Sequence, residues 1–314
     1  MKASEKDFGR IGVLAGGPSN EREISLRSGR AVHEALINGG YNAILLDVKD
    51  DIYDIISRSA INVAFIALHG KFGEDGTVQR ILEEEGLPYT GSGVEASRLA
   101  LDKIATKEVL ENSGVPVPKH FEFVKGDFRA DRCRSLGWPV VIKPQFEGSS
   151  IGLSVAEGEG ALLEAAKKAF VYGDRILVEE YISSRELTVG VLGDRALPVV
   201  EIVTRSGIYD YEAKYKDPET KYLVPAPIDD KAASLAGRLG LLSHKSLGCR
   251  SFSRVDMMMD SSGNIFVLEV NTIPGMTERS LLPKAAKAAG INFTDLCVKL
   301  LEDAVSISRS RVRA

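Results

Sequence analysis

Two carboxylates set inside apolar strand sequence constrain this chain more than any other feature. Asp256 lies in the run 255–259 and Glu269 in the run 265–270, with the turn formers Asp260-Ser261-Ser262-Gly263-Asn264 between them. The unit reads as a β-hairpin. Asp256 falls near the start of the first strand and Glu269 near the end of the second, so the two face one another. Asn271 follows Glu269 by two residues, and side-chain alternation puts it on the same face. Three oxygen donors in an otherwise apolar ribbon suit hard Mg²⁺ ions that bridge nucleotide phosphates. A charge pair with Arg254 is the plainer alternative. Against it stands the cost of burying two carboxylates and an amide with no cation.

Upstream the periodicity changes. A strand at 11–14 runs through Ala15-Gly16-Gly17-Pro18-Ser19 into a helix, with Asn20 as N-cap and Glu23 at the capping-box position. Ile24, Ala31, Val32, Ala35 and Leu36 line one face of that helix, and Gly39-Gly40 ends it. Strands at 43–47 and 63–68, with a short helix between, complete a βαβαβ order, which implies a parallel sheet flanked by helices. The glycines after the first strand do not form GxGxxG, which argues against a dinucleotide site. Beyond Thr90-Gly91-Ser92-Gly93 a single helix is expected over 95–113, closed by Gly114 and the extended Pro116-Val117-Pro118. Strands at 140–143, 151–155, 176–180, 187–192 and 198–202 follow in a mostly antiparallel pattern, interrupted by a helix at 159–170. Helices at 229–246 and 293–305 flank the hairpin. The expected class is α/β with α+β lobes, divided at 1–92, 93–180 and 181–314.

Composition removes several alternatives. No apolar run among the 314 residues approaches the roughly 20 needed to span a membrane, and Met1 to Arg10 lacks the hydrophobic core of a secretion signal. Cys133, Cys249 and Cys297 are odd in number and widely spaced, as expected of reduced thiols in a cytoplasmic protein. A net charge of -4 gives no support for a nucleic-acid surface. The short basic tail from Arg309 to Arg313 reads as a solvated end.

Further residues carry chemistry. The buried-strand sequence Val140-Val141-Ile142 delivers Lys143, and Glu147-Gly148-Ser149-Ser150-Ile151-Gly152 follows. Such a small-residue loop can close over phosphates while the lysine reaches them as a point charge. A plain hairpin turn is the alternative, but it needs no lysine in an apolar strand. Glu179, Glu180, Tyr181, Ile182 and Glu186 stand at an expected hinge, where acceptors suit an adenine amino group and ribose hydroxyls and exposed loop charge fits equally. Taken alone, Lys103 is a solvated helix lysine, Glu21 a helix-dipole charge and His69 a loop residue. Glu21 and His69 do fall at the sheet edge where α/β proteins bind ligands. The stretch from Tyr209 to Lys216 reads as a mobile loop, able to bring Lys214 and Tyr215 over a site.

Taken together and in order, these segments resemble D-alanine–D-alanine ligases of the ATP-grasp superfamily. The resemblance rests on Leu68-His69-Gly70-Lys71-Phe72-Gly73-Glu74-Asp75-Gly76, on Glu147 to Gly152, and on Asn271-Thr272-Ile273-Pro274-Gly275-Met276-Thr277. It implies an ATP-grasp fold with an N-terminal Rossmann-like domain, and ATP-dependent joining of two D-alanines for peptidoglycan. It further implies two Mg²⁺ ions, with Mn²⁺ as a substitute, and a homodimer. By the same resemblance Lys103, Lys143, Gly148, Ser150, Glu179, Glu180, Tyr181, Ile182, Glu186 and Lys214 match nucleotide-binding positions, and Asp256, Glu269 and Asn271 match metal ligands. Glu21, Ser149 and Tyr215 match a hydrogen-bonded trio at the first substrate's amino group. Arg254 and Gly275 match oxyanion stabilisers, and His69, Ser280 and Leu281 match substrate positions. Ser253 departs from the family, where glycine is common. A D-lactate-accepting ligase, another carboxylate–amine ligase and a non-catalytic nucleotide-binding protein are the competing readings. Tyr215 argues against the first, since similar ligases with that preference tend to carry Phe there.

Overall fold

The computed structural model describes residues 8–49, 51–205, 209, 213–214 and 217–312. By compactness the chain forms two units, one of residues 1–97, 249–253 and 272–314, the other of 98–248 and 254–271. Each of the three expected lobes contains one sheet, but the segments 249–253 and 272–314 return to the first unit.

In the first unit β1 (Ile11–Gly16) lies between β2 (Ala43–Val48) and β3 (Val63–Ile66), all parallel. β1 and β3 are buried along their whole length, as continuous apolar runs in a covered parallel sheet must be. Helix α1 (Arg22–Asn38) packs on the sheet. Ile52 and Ile56 of α2 (Ile52–Ser59) and Val78, Ile81 and Leu82 of α3 (Thr77–Glu84) form a core with Leu14 and Ile66. The strand expected over 63–68 ends at Ile66, although the Ala67 amide still donates to the Leu14 carbonyl at 2.9 Å. The N-cap of α1 is Glu21 rather than Asn20. It is Ser19 Oγ that accepts from the Glu21 amide, at 3.1 Å, while donating to the His69 carbonyl at 2.6 Å.

The helix expected over 95–113 is two helices, α4 (Val94–Leu101) and α5 (Lys103–Asn112). Asp102 breaks it: its Oδ1 accepts from the amides of Ile104 and Ala105, both at 3.1 Å, and its Oδ2 from Gln145 Nε2 at 2.9 Å. A side chain that caps its own downstream turn competes with helix continuation.

The second unit then builds an antiparallel sheet in the order β4-β7-β5-β6, from β4 (His120–Val124), β5 (Val140–Pro144), β6 (Ser154–Ala156) and β7 (Arg175–Glu180). Leu162, Ala165 and Ala169 of α6 (Glu159–Ala169) pack on Val140, Ile142, Ile176 and Val178 of this sheet. Residues 151–153, expected as strand, form consecutive turns: Ile151 donates to the Gly148 carbonyl at 2.9 Å and Leu153 to Ser150 at 3.2 Å.

The remaining sheet runs β11-β10-β8-β12-β13, with β9 paired to β8. Its strands are β8 (Ser184–Leu192), β9 (Arg195–Ala196), β10 (Val200–Val203), β11 (Lys221–Leu223), β12 (Phe252–Asp260) and β13 (Ile265–Asn271). β10 starts two residues later than expected because Pro198 has no amide to donate to the ladder. Helix α7 (Asp230–Ser246) packs against β8 and β13. In the first unit α8 (Leu281–Ala288) and α9 (Phe293–Val312) complete the chain, α9 against α1. The short elements α3, α8, β4 and β11 are absent from the sequence reading.

The Asp102 cap yields a stability prediction. Asp102→Ala lowers unfolding free energy by about 1–2 kcal/mol in denaturant titrations, whereas Asp102→Asn, an equivalent cap, retains most of it.

Candidate active site

The two carboxylates are paired as expected, through a bulge that shifts the register by one residue and without which Asp256 would oppose Leu268. Asp256 pairs with Glu269 and Arg254 with Asn271, and a bulge follows Asp256. Bulges re-aim side chains next to functional sites. Arg254 holds Asp256 in a bidentate pair, Nε to Oδ1 at 2.8 Å and Nη2 to Oδ2 at 2.7 Å. Thr188 Oγ1 donates to Asp256 Oδ1 at 2.6 Å, and Asn271 Nδ2 to Oδ2 at 3.0 Å. The charge pair weighed as an alternative from sequence is therefore present together with the converging donors. Thr188, which no sequence pattern marks, fixes the carboxylate from the neighbouring strand β8. Burial opposes ionisation of Asp256, yet Arg254 and Thr188 hold its pKa below the ordinary value.

A pocket in the second unit is walled by both of its sheets. Lys143 of β5 and Glu179 of β7 line it from one sheet and Glu186, Asp256 and Glu269 from the other, with Lys103 of α5 and Lys214 also in the lining. Glu180, Tyr181 and Ile182 line it at the link from β7 to β8. The Glu180 carboxylate accepts from the Lys119 amide at 2.8 Å, so its side chain pins β4. Behind the wall, Lys107 of α5 is fully buried with its Nζ 2.9 Å from Glu179 Oε1, while Lys143 Nζ sits 2.7 Å from Glu179 Oε2. Burial raises the Glu179 pKa, but the two ammonium groups outweigh it and hold the carboxyl at about 2. Lys107 carries no sequence signal beyond its i, i+4 spacing from Lys103 on one helix face.

Burial, with Lys143 and Lys214 nearby, depresses the pKa of Lys103, whose ammonium donates to the Glu147 carbonyl. Across the pocket, desolvation and the adjacent Asp256 carboxylate push Glu186 up to about 7. Carboxylates that resist joint ionisation are a setting in which an added cation is favourable. The oxygen-rich set of Asp256, Glu269 and Asn271 fits a magnesium-like ion that keeps waters and phosphate oxygens in its shell. Among the described residues, no three His, Cys, Asp or Glu side chains close into a complete metal cage.

The loop after β5 is stitched to the segment carrying Lys214. Ser150 Oγ donates to the Tyr209 carbonyl at 3.1 Å and accepts from Lys214 Nζ at 3.1 Å. Lys214 Nζ also stands 5.1 Å from the centre of the Tyr209 ring. Ser149 and Ser150 have left-handed backbones, φ 48° and 61°. Tyr215 lies outside the described residues.

The first unit holds the remaining candidates. Glu21 and His69 are buried, at 8% and 5% exposure, beyond the C-terminal ends of β1 and β3. A Cβ on Gly70 would lie 2.6 Å from Glu21 Oε2, and Gly70 has φ +69°, so glycine alone fits beside this carboxylate. Ser28 Oγ lies 3.0 Å from His69 Nε2 and accepts from the Met276 amide at 3.3 Å. His69 Nδ1 is 3.6 Å from Glu74 Oε1. Ser28, unmarked in sequence, thus connects His69 to the segment that includes Gly275. Ser280 is the N-cap of α8, its Oγ accepting from the Thr277 amide at 3.1 Å, and Leu281 is the buried first residue of that helix.

A lysine-lined pocket between two antiparallel sheets, facing a hairpin of carboxylates, is the architecture of the ATP-grasp class. The chain belongs to the D-alanine–D-alanine ligase family. The family profile described as D-ala D-ala ligase C-terminus matches residues 109–302, and that described as D-ala D-ala ligase N-terminus matches residues 51–92. The chain is 44% identical over 301 residues to a D-alanine–D-alanine ligase of Geotalea uraniireducens, covering 96% of this chain and 97% of that protein. It is 49% identical over 300 residues to one from Desulforudis audaxviator, covering 93% and 97%. The structure is similar to that of D-alanine–D-alanine ligase from Bacillus anthracis complexed with ATP, with a TM-score of 0.86, 31% identity, and coverage of 96% and 99%.

The Glu179 shift gives a prediction with a definite sign. Its pKa falls from 4.5 to about 2 on folding, so it contributes stability above pH 4.5 that is lost as pH drops through that window. Acid unfolding followed by circular dichroism therefore shows a decline between about pH 4.5 and pH 2, and Glu179→Gln flattens that limb.

Proposed function

We propose that this chain joins two D-alanine molecules to D-alanyl-D-alanine, with ATP converted to ADP and phosphate. The observation that carries the reading is the convergence of Lys103, Lys143 and Lys214 with Glu186, Asp256 and Glu269 on one pocket. Lysines meet a polyphosphate and carboxylates hold the cations that accompany it, and family membership supplies the substrate.

An amine and a carboxylate do not condense near neutrality because oxide is not a viable leaving group. Transfer of the γ-phosphoryl group to the first D-alanine makes an acyl phosphate, and the second amine then displaces phosphate. The phosphoryl step needs positioning and charge neutralisation. Lys143 and Lys214 place charge at the triphosphate, with the 148–152 loop closing over it through backbone amides. Glu180, Tyr181 and Ile182 receive the adenine, and Glu186 takes the ribose. Asp256, Glu269 and Asn271 would hold two Mg²⁺ ions, which neutralise phosphate charge when bound. Asp256 already uses both oxygens twice, so cation binding exchanges one of those contacts.

In the second step negative charge builds on one oxygen, and the family resemblance assigns Arg254 and the Gly275 amide as its donors. The same resemblance assigns Glu21, Ser149 and Tyr215 to the first ammonium. Ser280 and Leu281, at a helix N-terminus, receive the second carboxylate, with His69 beside that segment. Among the described residues no helix is long and apolar enough to cross a membrane. A cytoplasmic homodimer is the setting this reading expects.

The test is phosphate release with ATP, Mg²⁺ and a panel of D-amino and D-hydroxy acids, with products identified by mass. D-alanine as both donor and acceptor is expected; preferential D-alanyl-D-lactate formation at neutral pH would overturn the reading. Glu269→Ala lowers kcat by roughly two orders of magnitude or more with the fold intact, and near-normal turnover with unchanged metal dependence rejects its role. Tyr215→Phe shifts acceptor preference toward hydroxy acids, and an unchanged profile removes Tyr215 from the lid.

A further inference from the structure

We infer that Lys107, which does not line the pocket, positions the nucleotide from behind its wall: by neutralising Glu179 from the protein side, it leaves Lys143 with an uncompensated charge for the phosphates. The inference deepens the nucleotide reading of the pocket and rests on it.

The geometry is a ladder across three elements. Glu179 on β7 and Lys143 on β5 are diagonal neighbours on one sheet face, since Val141 pairs with Glu179 and Lys143 with Leu177. Each Glu179 oxygen takes one ammonium, Lys107 at 2.9 Å and Lys143 at 2.7 Å. One carboxylate between two ammonium groups leaves a single positive charge, and of the two lysines Lys143 lines the pocket, beside Glu179, while Lys107 does not. Lys107 is 0% exposed and Glu179 1%. A helix position packed on a sheet takes Leu or Met with no desolvation penalty, whereas a buried lysine is costly unless paired. Burial does lower the Lys107 pKa, with Glu179 opposing it. Were the lysine absent, Glu179 and Lys143 would form a closed neutral pair, and Lys143 would meet a polyphosphate already neutralised. Lys107 is thus a positioning residue that acts through Glu179.

The experiment is ADP binding to the full chain by calorimetry, with steady-state kinetics in parallel. Lys107→Met weakens ADP binding about tenfold or more, as expected for one unit charge removed a few ångströms behind the contact, and Lys107→Arg stays within about threefold of wild type. The KM for ATP rises by a larger factor than kcat falls. Adenosine, which carries no phosphate, binds Lys107→Met within about threefold of its wild-type affinity. A purely structural role for Lys107 predicts that ADP and adenosine weaken together. Unimpaired ADP binding by Lys107→Met, or adenosine binding weakened as much as ADP binding, overturns the inference. Failure of wild type to bind ADP rejects the nucleotide reading instead. Should Lys107→Met not fold, Lys107→Gln decides on the same comparison: a loss confined to ADP supports the inference, and an equal loss for both ligands, or none, overturns it.

Discussion

Glu179 is almost wholly buried and takes one ammonium group on each carboxylate oxygen, from Lys107 on α5 and Lys143 on β5. That bridge ties a helix to two strands of the central sheet and sets much of what lies above it. Lys103 sits one helical turn before Lys107 and reaches the Glu147 carbonyl, so the α5 anchor also places the start of the 148–152 loop. Buried ion pairs are poor stabilisers, since apolar residues of equal volume serve as well or better. The retention of a buried lysine–glutamate–lysine ladder is therefore better explained by what it holds at the pocket surface than by stability.

The opposite wall follows a complementary logic. Burial opposes the charge on Arg254, but Asp256 beside it more than compensates and the guanidinium pKa rises. Asp256 in turn accepts from Arg254 twice, from Thr188 and from Asn271, the full capacity of a carboxylate. Glu186, facing Asp256 without such a fixed partner set, is pushed up to about 7. The pocket thus combines lysine ammonium groups with carboxylates whose mutual repulsion a cation relieves. Both the phosphates of a nucleotide and the cation that accompanies them are favoured there.

Parts of this were legible in the sequence for identifiable reasons. The pairing of Asp256 with Glu269 was readable because both are conspicuous in an apolar ribbon, whereas the bulge that sets their register has no sequence signature. The parallel sheet was readable because β1 and β3 are unbroken apolar runs. Other features have no periodic signature. Asp102 sits in sequence of continuous helical pattern, and its capping bonds become visible only with the backbone in place. Thr188 and Ser28 are single hydroxyls whose partners lie 68 and 41 residues away. Lys107 was obscured because a helix lysine is ordinarily solvated, and its spacing from Lys103 reads as surface charge until Glu179 is placed between α5 and the sheet. Strands β4 and β11 are short, and the turn chemistry around them outweighs their own patterns.

The loop after β5 adds a constraint that composition alone misstates. Small residues there suggest flexibility, yet Ser149 and Ser150 hold left-handed backbones that non-glycine residues adopt at a cost of about 1–3 kcal/mol each. Glycine at either position would remove that strain. Serine persists where glycine is easier, which assigns value to the hydroxyls. For Ser150 the reason is visible: its Oγ donates to Tyr209 and accepts from Lys214, joining the loop to the segment that carries the third pocket lysine. The strain is thus sustained by contacts that set the lysine's position, and a relaxed loop would leave Lys214 without that anchor.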